Sequence, residues 1–202
     1  MIVAGLTGSI AMGKTTVAGM FAALGAPVFD ADAAVREFYR SPGAQAVEAA
    51  FPGVIEGGEV NREKLAAATL ADAKALERLE AIVHPEVARL RRSFLERAAA
   101  QGRRVVVVDV PLLIETAGHD AVDLVLVVSA SEAAQRARAL ARPGMSAAKF
   151  EAILARQTPD REKRRLAHCV IDTNGALEQT RAQVAGVLRA IAAMPDGRGA
   201  DA

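Results

Sequence analysis

The sequence predicts an α/β fold in which helices flank a mainly parallel, five-stranded sheet. Short apolar runs rich in β-branched residues alternate with stretches of helical periodicity along the chain. This is the pattern of parallel strands whose sheet is covered by helices on both faces. The first apolar run also leads directly into a glycine-bracketed lysine and then into a helix-like segment, which is a strand–loop–helix order.

Five runs are predicted as strands. Three are almost continuously apolar, at residues 1–7, 105–110 and 124–128, and two weaker ones lie at 27–32 and 169–172. Their length and content of valine and isoleucine favour buried strands over helix segments.

The segments between these runs are predicted as helices, at 15–24, 63–83, 85–101, 131–140, 147–157 and 177–194. Gly25 is suited to end the first of them, and Pro85 is placed in the first turn of its helix, where a missing N–H is tolerated. Residues 40–62 contain two prolines and several glycines and are predicted to be a loop-rich insertion. The polar, glycine-rich residues 195–202 are predicted to be a flexible tail.

Composition limits the class of protein. A chain of 202 residues with 51% hydrophobic residues suits one domain, predicted at 1–194, with an inserted subdomain or lid. A net charge of +1 gives no general attraction to nucleic acid or membranes. The single cysteine, Cys169, excludes an internal disulfide. No leader pattern and no apolar run of about 18 residues is visible, so a cytoplasmic location is expected.

Residues 8–15, GSIAMGKT, match the pattern G-x-x-x-x-G-K-[ST] between a strand and a helix. Such loops bind the phosphates of a nucleoside triphosphate. Gly8 and Gly13 allow turns that a Cβ would obstruct, while backbone N–H groups and the positive end of the next helix attract the anion. Lys14 supplies a point charge for the β- and γ-phosphates, and the hydroxyl of Thr15 is a ligand for Mg²⁺.

Asp109 ends the apolar run VVVVD. An acid at the carboxyl end of a buried strand faces the nucleotide crevice of a parallel sheet, and Asp109 is predicted to hold Mg²⁺ through water. The alternative is an aspartate that merely ends the strand.

Two absent motifs and the short chain indicate which class of phosphate-loop protein this is. The sequence contains neither the Asn-Lys-x-Asp motif of GTPases nor the Ser-Gly-Gly signature of transport ATPases. A short chain with an early phosphate loop favours a small-molecule kinase. Such an enzyme needs a group that positions the acceptor and cations around the transferred phosphoryl group.

Asp30 and Asp32 follow the second predicted strand. If the strand continues through them, both side chains point the same way, and one could accept the hydroxyl proton while the other orients substrate or metal. The alternative is that Asp32 is the N-cap of a helix beginning at residue 33.

The segment 136–165 contains nine arginines and lysines against three acids, with a break at Pro143-Gly144. It is predicted to be a lid over ATP, in which the guanidinium groups of arginines form bidentate hydrogen bonds with phosphate oxygens. Arg138, Arg142 and Arg156 are the predicted lid cations. Some of the cations at 161–165, which include Lys163, are predicted to be ordinary surface charges. A solvated helix face or a nucleic-acid patch is the alternative, although no aromatic residue for base stacking interleaves there.

Together these residues resemble the dephospho-CoA kinase family from Met1 to about Ile191. Residues 5–18, GLTGSIAMGKTTVA, are similar to the family's GLTGGIGSGKSTVA. The family also has a DAD-x-x-x-R element, a His-Pro pair, a PLLFE segment and a characteristic lid end. The corresponding stretches here are Asp30–Arg36, His84-Pro85, DVPLLIE at 109–115 and residues 156–175.

The resemblance implies a P-loop kinase fold with a helical CoA-binding subdomain at about 60–102 and a lid at about 136–160. It implies transfer of the ATP γ-phosphate, with Mg²⁺, to the 3′-hydroxyl of dephospho-CoA. Asp32, Lys14 and Arg142 would be catalytic, Asp30, Arg36 and His84 would bind the substrate, and Thr15 and Asp109 would hold the metal. The residues expected to bind ATP are Gly8, Ala11, Met12, Gly13, Lys14, Thr15, Thr16, Arg138 and Asn174.

The chain departs from the family's pattern at a few positions. Ser9, Ala11 and Met12 replace the usual Gly, Gly and Ser, and His168 replaces a frequent Asp. Alanine at position 11 is costly if the loop requires a positive φ there. His84 is either a substrate contact or a residue at a helix start. Rival functions are a nucleotide or other metabolite kinase and a nucleotide-dependent binding protein without turnover. A monomer or weak homo-oligomer without nucleic-acid or membrane partners is expected.

Overall fold

A computed structural model describes residues 1–40, 43–69 and 72–195 and divides the chain into two compact units. The first unit is formed by residues 1–29 and the chain from Ala98 onward, and the second unit is Asp30–Arg97. The second unit therefore begins at Asp30, earlier than the predicted subdomain at about 60–102. The tail predicted at 195–202 lies outside the described residues, apart from Pro195.

The described helices and strands in chain order are β1 (Ile2–Thr7), α1 (Lys14–Ala23), β2 (Val28–Asp30), α2 (Ala31–Phe38), α3 (Gly43–Ala50), β3 (Ile55–Glu56), β4 (Glu59–Val60), α4 (Arg62–Thr69), α5 (Ala73–Ala100), β5 (Val105–Asp109), a 3₁₀ helix (Gly118–Ala121), β6 (Leu124–Ser129), α6 (Glu132–Leu140), α7 (Ala147–Leu154), α8 (Asp160–Leu166), β7 (Cys169–Asp172) and α9 (Leu177–Ala192).

The main sheet has five strands in the order β2-β5-β1-β6-β7. The pairs β1–β5, β1–β6 and β6–β7 are parallel, which confirms the predicted fold class. The neighbours of β1 in the sheet come much later in the chain, so the loop after β1 lies at a switch point of the topology. Ligands of open parallel sheets bind at such points, beyond the carboxyl ends of the strands.

The core of the first unit lies between the sheet and two helices. Ile2, Ala4 and Leu6 share one face of β1 because alternate residues of a strand point the same way. They belong to one buried cluster with Phe21 of α1 and Val184 of α9. This packing fixes the carboxyl end of β1 and the start of α1, between which the glycine-rich loop runs.

The second unit contains the helices α2 to α4, most of α5 and the β3–β4 hairpin. The prediction that residues 40–62 are loop-rich is wrong, because α3 and the hairpin occupy most of this segment. Gly57 and Gly58 connect the hairpin strands with φ of 61° and 88°. Two consecutive positive φ angles define the tight turn that a Gly-Gly pair favours.

The helix α5 is continuous over 28 residues, with Pro85 inside it. The prediction of two helices, one ending at residue 83 and the other starting at Pro85, is therefore wrong. Pro85 lacks the N–H that would bond to the carbonyl of residue 81, yet the helix continues. Val83, two residues before Pro85, is buried in the core of the second unit. Its packing stabilises the helix where one backbone hydrogen bond is missing.

Candidate active site

The loop between β1 and α1 depends on two glycines. A Cβ on Gly8 would lie 2.7 Å from the carbonyl oxygen of Val128 on β6, closer than side-chain carbons can approach. Gly13 has a φ of 95° and immediately precedes α1. Among the described residues, no side chain caps this helix. The first-turn N–H groups of α1 are therefore open to an anion.

Lys14 and Asp109 form an ion pair under this loop. Leu6 of β1 is in register with Asp109 of β5, so the carboxylate lies at the edge of the sheet where the loop begins. The distance from Lys14 Nζ to Asp109 Oδ1 is 2.5 Å, and Asp109 is buried with 4% exposure. The structure thus brings together two residues predicted for phosphate and metal binding. A bound triphosphate would compete with Asp109 for the lysine.

The donor groups of this site suit a magnesium ion that keeps most of its waters better than they suit a metal ion bound entirely by protein ligands. In the described part of the chain, no cluster of three or more His, Cys, Asp or Glu could hold a metal. Mg²⁺ keeps several waters and needs only one or two protein ligands beside substrate phosphates. Asp109 and Thr15, which is exposed in the first turn of α1, form a donor set of this size.

Ala11 has a φ of 62°, so position 11 does adopt the left-handed conformation. The cost for an L-residue is about 1–2 kcal/mol. The methyl group of Ala11 is buried in a small cluster with Ala139 of α6 and Phe150 of α7, and burial of one such group returns about 0.8 kcal/mol. Packing against these helices therefore offsets much of the strain that glycine would avoid.

The side chain of Met12 points into the core and not towards a nucleotide. It is 2% exposed, and its sulfur accepts a hydrogen bond from the N–H of Ala130 at 3.1 Å. The side chain of Met12 is thus not available to ATP, and its backbone N–H donates to the carbonyl of Ser9 at 3.2 Å. The predicted role of Met12 in ATP binding stays a prediction.

A second group of predicted residues meets at the loop after β7, around Thr173. The hydroxyl of Thr173 donates to the carbonyl of Met12 at 2.7 Å. Arg138 donates to the carbonyl of Thr173 at 2.6 Å and to its hydroxyl at 3.0 Å. The side-chain oxygen of Asn174 accepts from the N–H of Ser131 at 2.8 Å. Through Thr173, these bonds join Arg138 to the backbone of the phosphate loop, whereas Asn174 is joined to the start of α6.

The basic segment predicted as a lid is anchored on the phosphate loop. Phe150 of α7 is buried in a cluster to which Ile10 and Ala11 also contribute. Arg136 of α6 pairs with Glu151 of α7 and thereby joins the two helices. Arg142 follows α6 and has an exposed side chain. The segment thus presents the exposed guanidinium group of Arg142 beside helices that pack on the phosphate loop.

The acids Asp30 and Asp32 have different environments in the second unit. Asp30 is the N-cap of α2: its Oδ1 accepts from the N–H of Ala33 at 2.8 Å, and its Oδ2 lies 3.5 Å from Arg36. The alternative interpretation of Asp32 as the cap is therefore wrong. Asp32 lies in the first turn of α2 and is exposed. The strand ends at Asp30, so the two acids do not extend from one strand.

His84 is exposed in the middle of α5. The alternative that it stands at a helix start is therefore wrong, because the helix begins eleven residues earlier, at Ala73. Its predicted contact with substrate stays a prediction.

A cleft of about 530 Å³ lies within the second unit, and its lining includes Arg36, Tyr39, Arg40 and Arg62. Burial raises the pKa of the Tyr39 hydroxyl, and the charge of Arg62 opposes this only in part. Tyr39 is therefore a neutral hydrogen-bonding group at physiological pH, in a cleft that three glutamates line together with these three arginines.

Several residues near the phosphate loop were missed by the sequence prediction. The side chains of Gln135 and Gln157 bond to the backbone of Ile10. Lys163, grouped with possible surface charges, is fully buried and lies 2.7 Å from Glu115. A glutamate within the apolar run PLLIE was a usable signal, because a buried carboxylate requires a cationic partner.

The carboxylate of Glu115 also accepts from the N–H of Thr158 at 2.9 Å. Burial raises the pKa of Glu115, but the ammonium group of Lys163 and the N–H of Thr158 outweigh it, so the pKa lies below its ordinary value. The pair is therefore charged at neutral pH and fixes the start of α8 near the phosphate loop.

Comparisons with known proteins agree with this arrangement. The family model for dephospho-CoA kinase matches residues 1–179. The dephospho-CoA kinase of Rhodopseudomonas palustris strain BisB18 is 52% identical over 198 residues, which cover 98% of this chain and 100% of that protein.

Two solved structures extend the comparison to the fold. A crystal structure of a Thermus thermophilus protein has 34% identity and a TM-score of 0.82, covering 94% of this chain and 97% of that one. A dephospho-CoA kinase from Campylobacter jejuni has 19% identity and a TM-score of 0.63, covering 94% and 96%, and supports the fold alone. By sequence over nearly its whole length, this chain belongs to the dephospho-CoA kinase family.

Proposed function

We propose that this chain transfers the γ-phosphate of ATP to the 3′-hydroxyl of the dephospho-CoA ribose, giving CoA and ADP in the last step of coenzyme A synthesis. The observation that carries the proposal is the pair of Lys14 and Asp109 beneath a loop with two required glycines. Together with the family match over residues 1–179, this pair supports the loop as the phosphoryl-donor site.

ATP would bind through the loop and the first turn of α1. The amides there and Lys14 would neutralise the phosphates. Arg138, which reaches the loop through Thr173, and Asn174, beside the start of α6, are the further proposed contacts of ATP. Thr15 and Asp109 would hold Mg²⁺, which supplies neutralisation of charge on the β- and γ-phosphate oxygens. The exposed hydroxyl of Thr16 would add a phosphate contact.

Asp32 is proposed as the residue that positions the acceptor hydroxyl and receives its proton. Because the transition state of phosphoryl transfer is loose, that proton moves late and positioning matters more than base strength. Asp32 suits this role because its side chain is exposed, whereas Asp30 is occupied as a helix cap. Arg142 is proposed to stabilise charge on the transferred phosphoryl oxygens.

The second unit is proposed to bind dephospho-CoA, with Asp30, Arg36 and His84 as contacts. Its cleft is lined by three arginines and three glutamates: Arg36, Arg40, Arg62, Glu56, Glu59 and Glu63. A diphosphate of the substrate would have to draw the guanidinium groups away from these carboxylates. Arg40 is paired with Glu59 at 2.7 Å, so it would have to exchange partners on binding.

The proposed setting is the cytoplasm, with a monomer or weak homo-oligomer and no nucleic-acid or membrane partner. Among the described residues, none of the helices is both long and apolar enough to cross a bilayer.

A substrate panel tests the proposal. Purified protein is supplied with ATP and Mg²⁺ and with dephospho-CoA, adenosine, AMP or CMP in parallel, and ADP formation is measured. We expect turnover with dephospho-CoA only, and the product should carry a phosphate on the 3′ position of its ribose.

The panel also separates the rival functions. Turnover with a nucleoside monophosphate but none with dephospho-CoA would assign the chain to the nucleotide kinases. Nucleotide binding without turnover on any acceptor would instead indicate a binding protein.

A further inference from the structure

Two glutamine side chains hold the backbone of Ile10 from both sides. Gln157, which follows α7, accepts a hydrogen bond from the N–H of Ile10 at 2.9 Å. Gln135 of α6 donates from its Nε2 to the carbonyl of Ile10, also at 2.9 Å. Both bonds reach across more than a hundred residues of sequence, so they are tertiary constraints on the phosphate loop.

These bonds fix the two peptide planes that precede Ala11. The carbonyl held by Gln135 belongs to the Ile10–Ala11 peptide, whose orientation sets φ of Ala11. None of the described peptides is cis, so the N–H of Ala11 points away from Gln135. Ala11 is one of two described residues other than glycine with a positive φ. The two hydrogen bonds therefore constrain the backbone next to a residue in an unfavourable conformation.

Both glutamines are themselves held in place. Gln135 is buried in the interior of the first unit, with 4% exposure. Gln157 is followed by Thr158, whose N–H donates to Glu115, and Glu115 pairs with the buried Lys163. The ion pair of Glu115 with the buried Lys163 thus anchors the chain next to Gln157.

We propose that Gln135 and Gln157 are positioning residues that keep the phosphate loop in its left-handed turn at Ala11 and so preserve its amides for the nucleotide. A glycine at position 11 would populate this turn without help, whereas alanine disfavours it. The two glutamines therefore matter most in a loop that carries alanine. The inference rests on the proposed function only in taking this loop as the nucleotide site.

The test is a double-mutant cycle with ADP as the probe. Gln157→Met and Gln135→Met remove the hydrogen-bonding groups at nearly constant size, each alone and together with Ala11→Gly. Titration calorimetry gives Kd for ADP. We expect each glutamine variant to weaken ADP binding about tenfold with alanine at position 11, and about twofold or less with glycine there. Gln45→Met, on the exposed surface of α3, is the matched control and should change Kd little.

Equal losses of affinity with alanine and with glycine at position 11 would overturn the inference, because they would reflect general packing alone. Unchanged Kd in the glutamine variants would overturn it as well. If Gln135→Met does not fold, the Gln157→Met cycle decides, since that side chain is only partly buried. A cycle that behaves as expected in a protein without turnover on dephospho-CoA would contradict the proposed function and leave this inference intact.

Discussion

Lys14 Nζ lies 2.5 Å from Asp109 Oδ1, so the cation proposed for the triphosphate is paired with the carboxylate proposed for the metal. If nucleotide binds here as proposed, the phosphates would take Lys14 from Asp109, and Asp109 would be left to hold a hydrated cation that balances its charge. The order of β5 and β1 in the sheet makes this exchange possible, because it places both groups at one edge.

Asp109→Asn is expected to separate the two roles of this pair. Without Mg²⁺, the variant should bind ADP at least as tightly as the parent, because Lys14 no longer has an anionic competitor. With Mg²⁺, its gain in affinity should be much smaller and kcat should fall about 100-fold. Calorimetry with EDTA and with Mg²⁺ measures the first two effects. Asp120→Asn, at an exposed carboxylate, is the control, and an undiminished Mg²⁺-dependent gain in Asp109→Asn would exclude Asp109 from metal binding.

Asp32→Asn is expected to abolish most turnover, because it removes the carboxylate proposed to position the acceptor hydroxyl. ADP binding and thermal stability should be unaffected, because the side chain is exposed. Asp30→Asn should be close to neutral in stability, since asparagine also caps helices, whereas Asp30→Ala should cost about 1 kcal/mol. Steady-state rates and thermal melts of the three variants distinguish a catalytic acid from a structural one. A normal rate in Asp32→Asn would remove this residue from the mechanism.

The sequence predicted the main sheet and its phosphate loop because both leave strong local signals: apolar runs and a complete glycine–lysine motif. The pair Gly57-Gly58 also favours the tight turn of the β3–β4 hairpin, whereas the two prolines nearby favour the loop that was predicted. Pro85 lies inside α5 and not at a helix start, because tertiary packing overrides its local preference. Lys163 and Gln157 have partners far away in sequence, and no local pattern identifies such contacts.

Arg142→Ala is expected to lower kcat more than it weakens ATP binding. An arginine that contacts charge developing in the transition state contributes little to the ground-state complex. Arg142→Lys should recover only part of the rate, because an ammonium group lacks the two-pronged geometry of guanidinium. Lys149→Ala, an exposed cation of α7, is the matched control. If KM for ATP alone rises and kcat is preserved, Arg142 is a ground-state contact.

The pair of Glu115 and Lys163 predicts a specific pH dependence of stability. The pKa of Glu115 is lower in the folded chain than its ordinary value, so the pair stabilises the fold at neutral pH. This contribution starts to fall as the pH drops below about 4.3, the usual glutamate pKa, and is lost once the pH passes the folded pKa. Glu115→Gln should therefore have a lower free energy of unfolding at pH 7 and a weaker dependence on pH in that acid window.

Denaturant unfolding followed by circular dichroism between pH 3 and 7 measures this difference, with Glu178→Gln at an exposed position of α9 as the control. Lys163→Met should cost about 3 kcal/mol at pH 7, because it leaves the carboxylate of Glu115, whose side chain is only 13% exposed, without its cation. Adding Glu115→Gln to Lys163→Met should recover part of that loss, since the double variant carries no unpaired charge. A double variant less stable than Lys163→Met would show that Glu115 acts mainly through Thr158. In that case the hydrogen bond, and not the ion pair, would be what fixes the chain beside the phosphate loop.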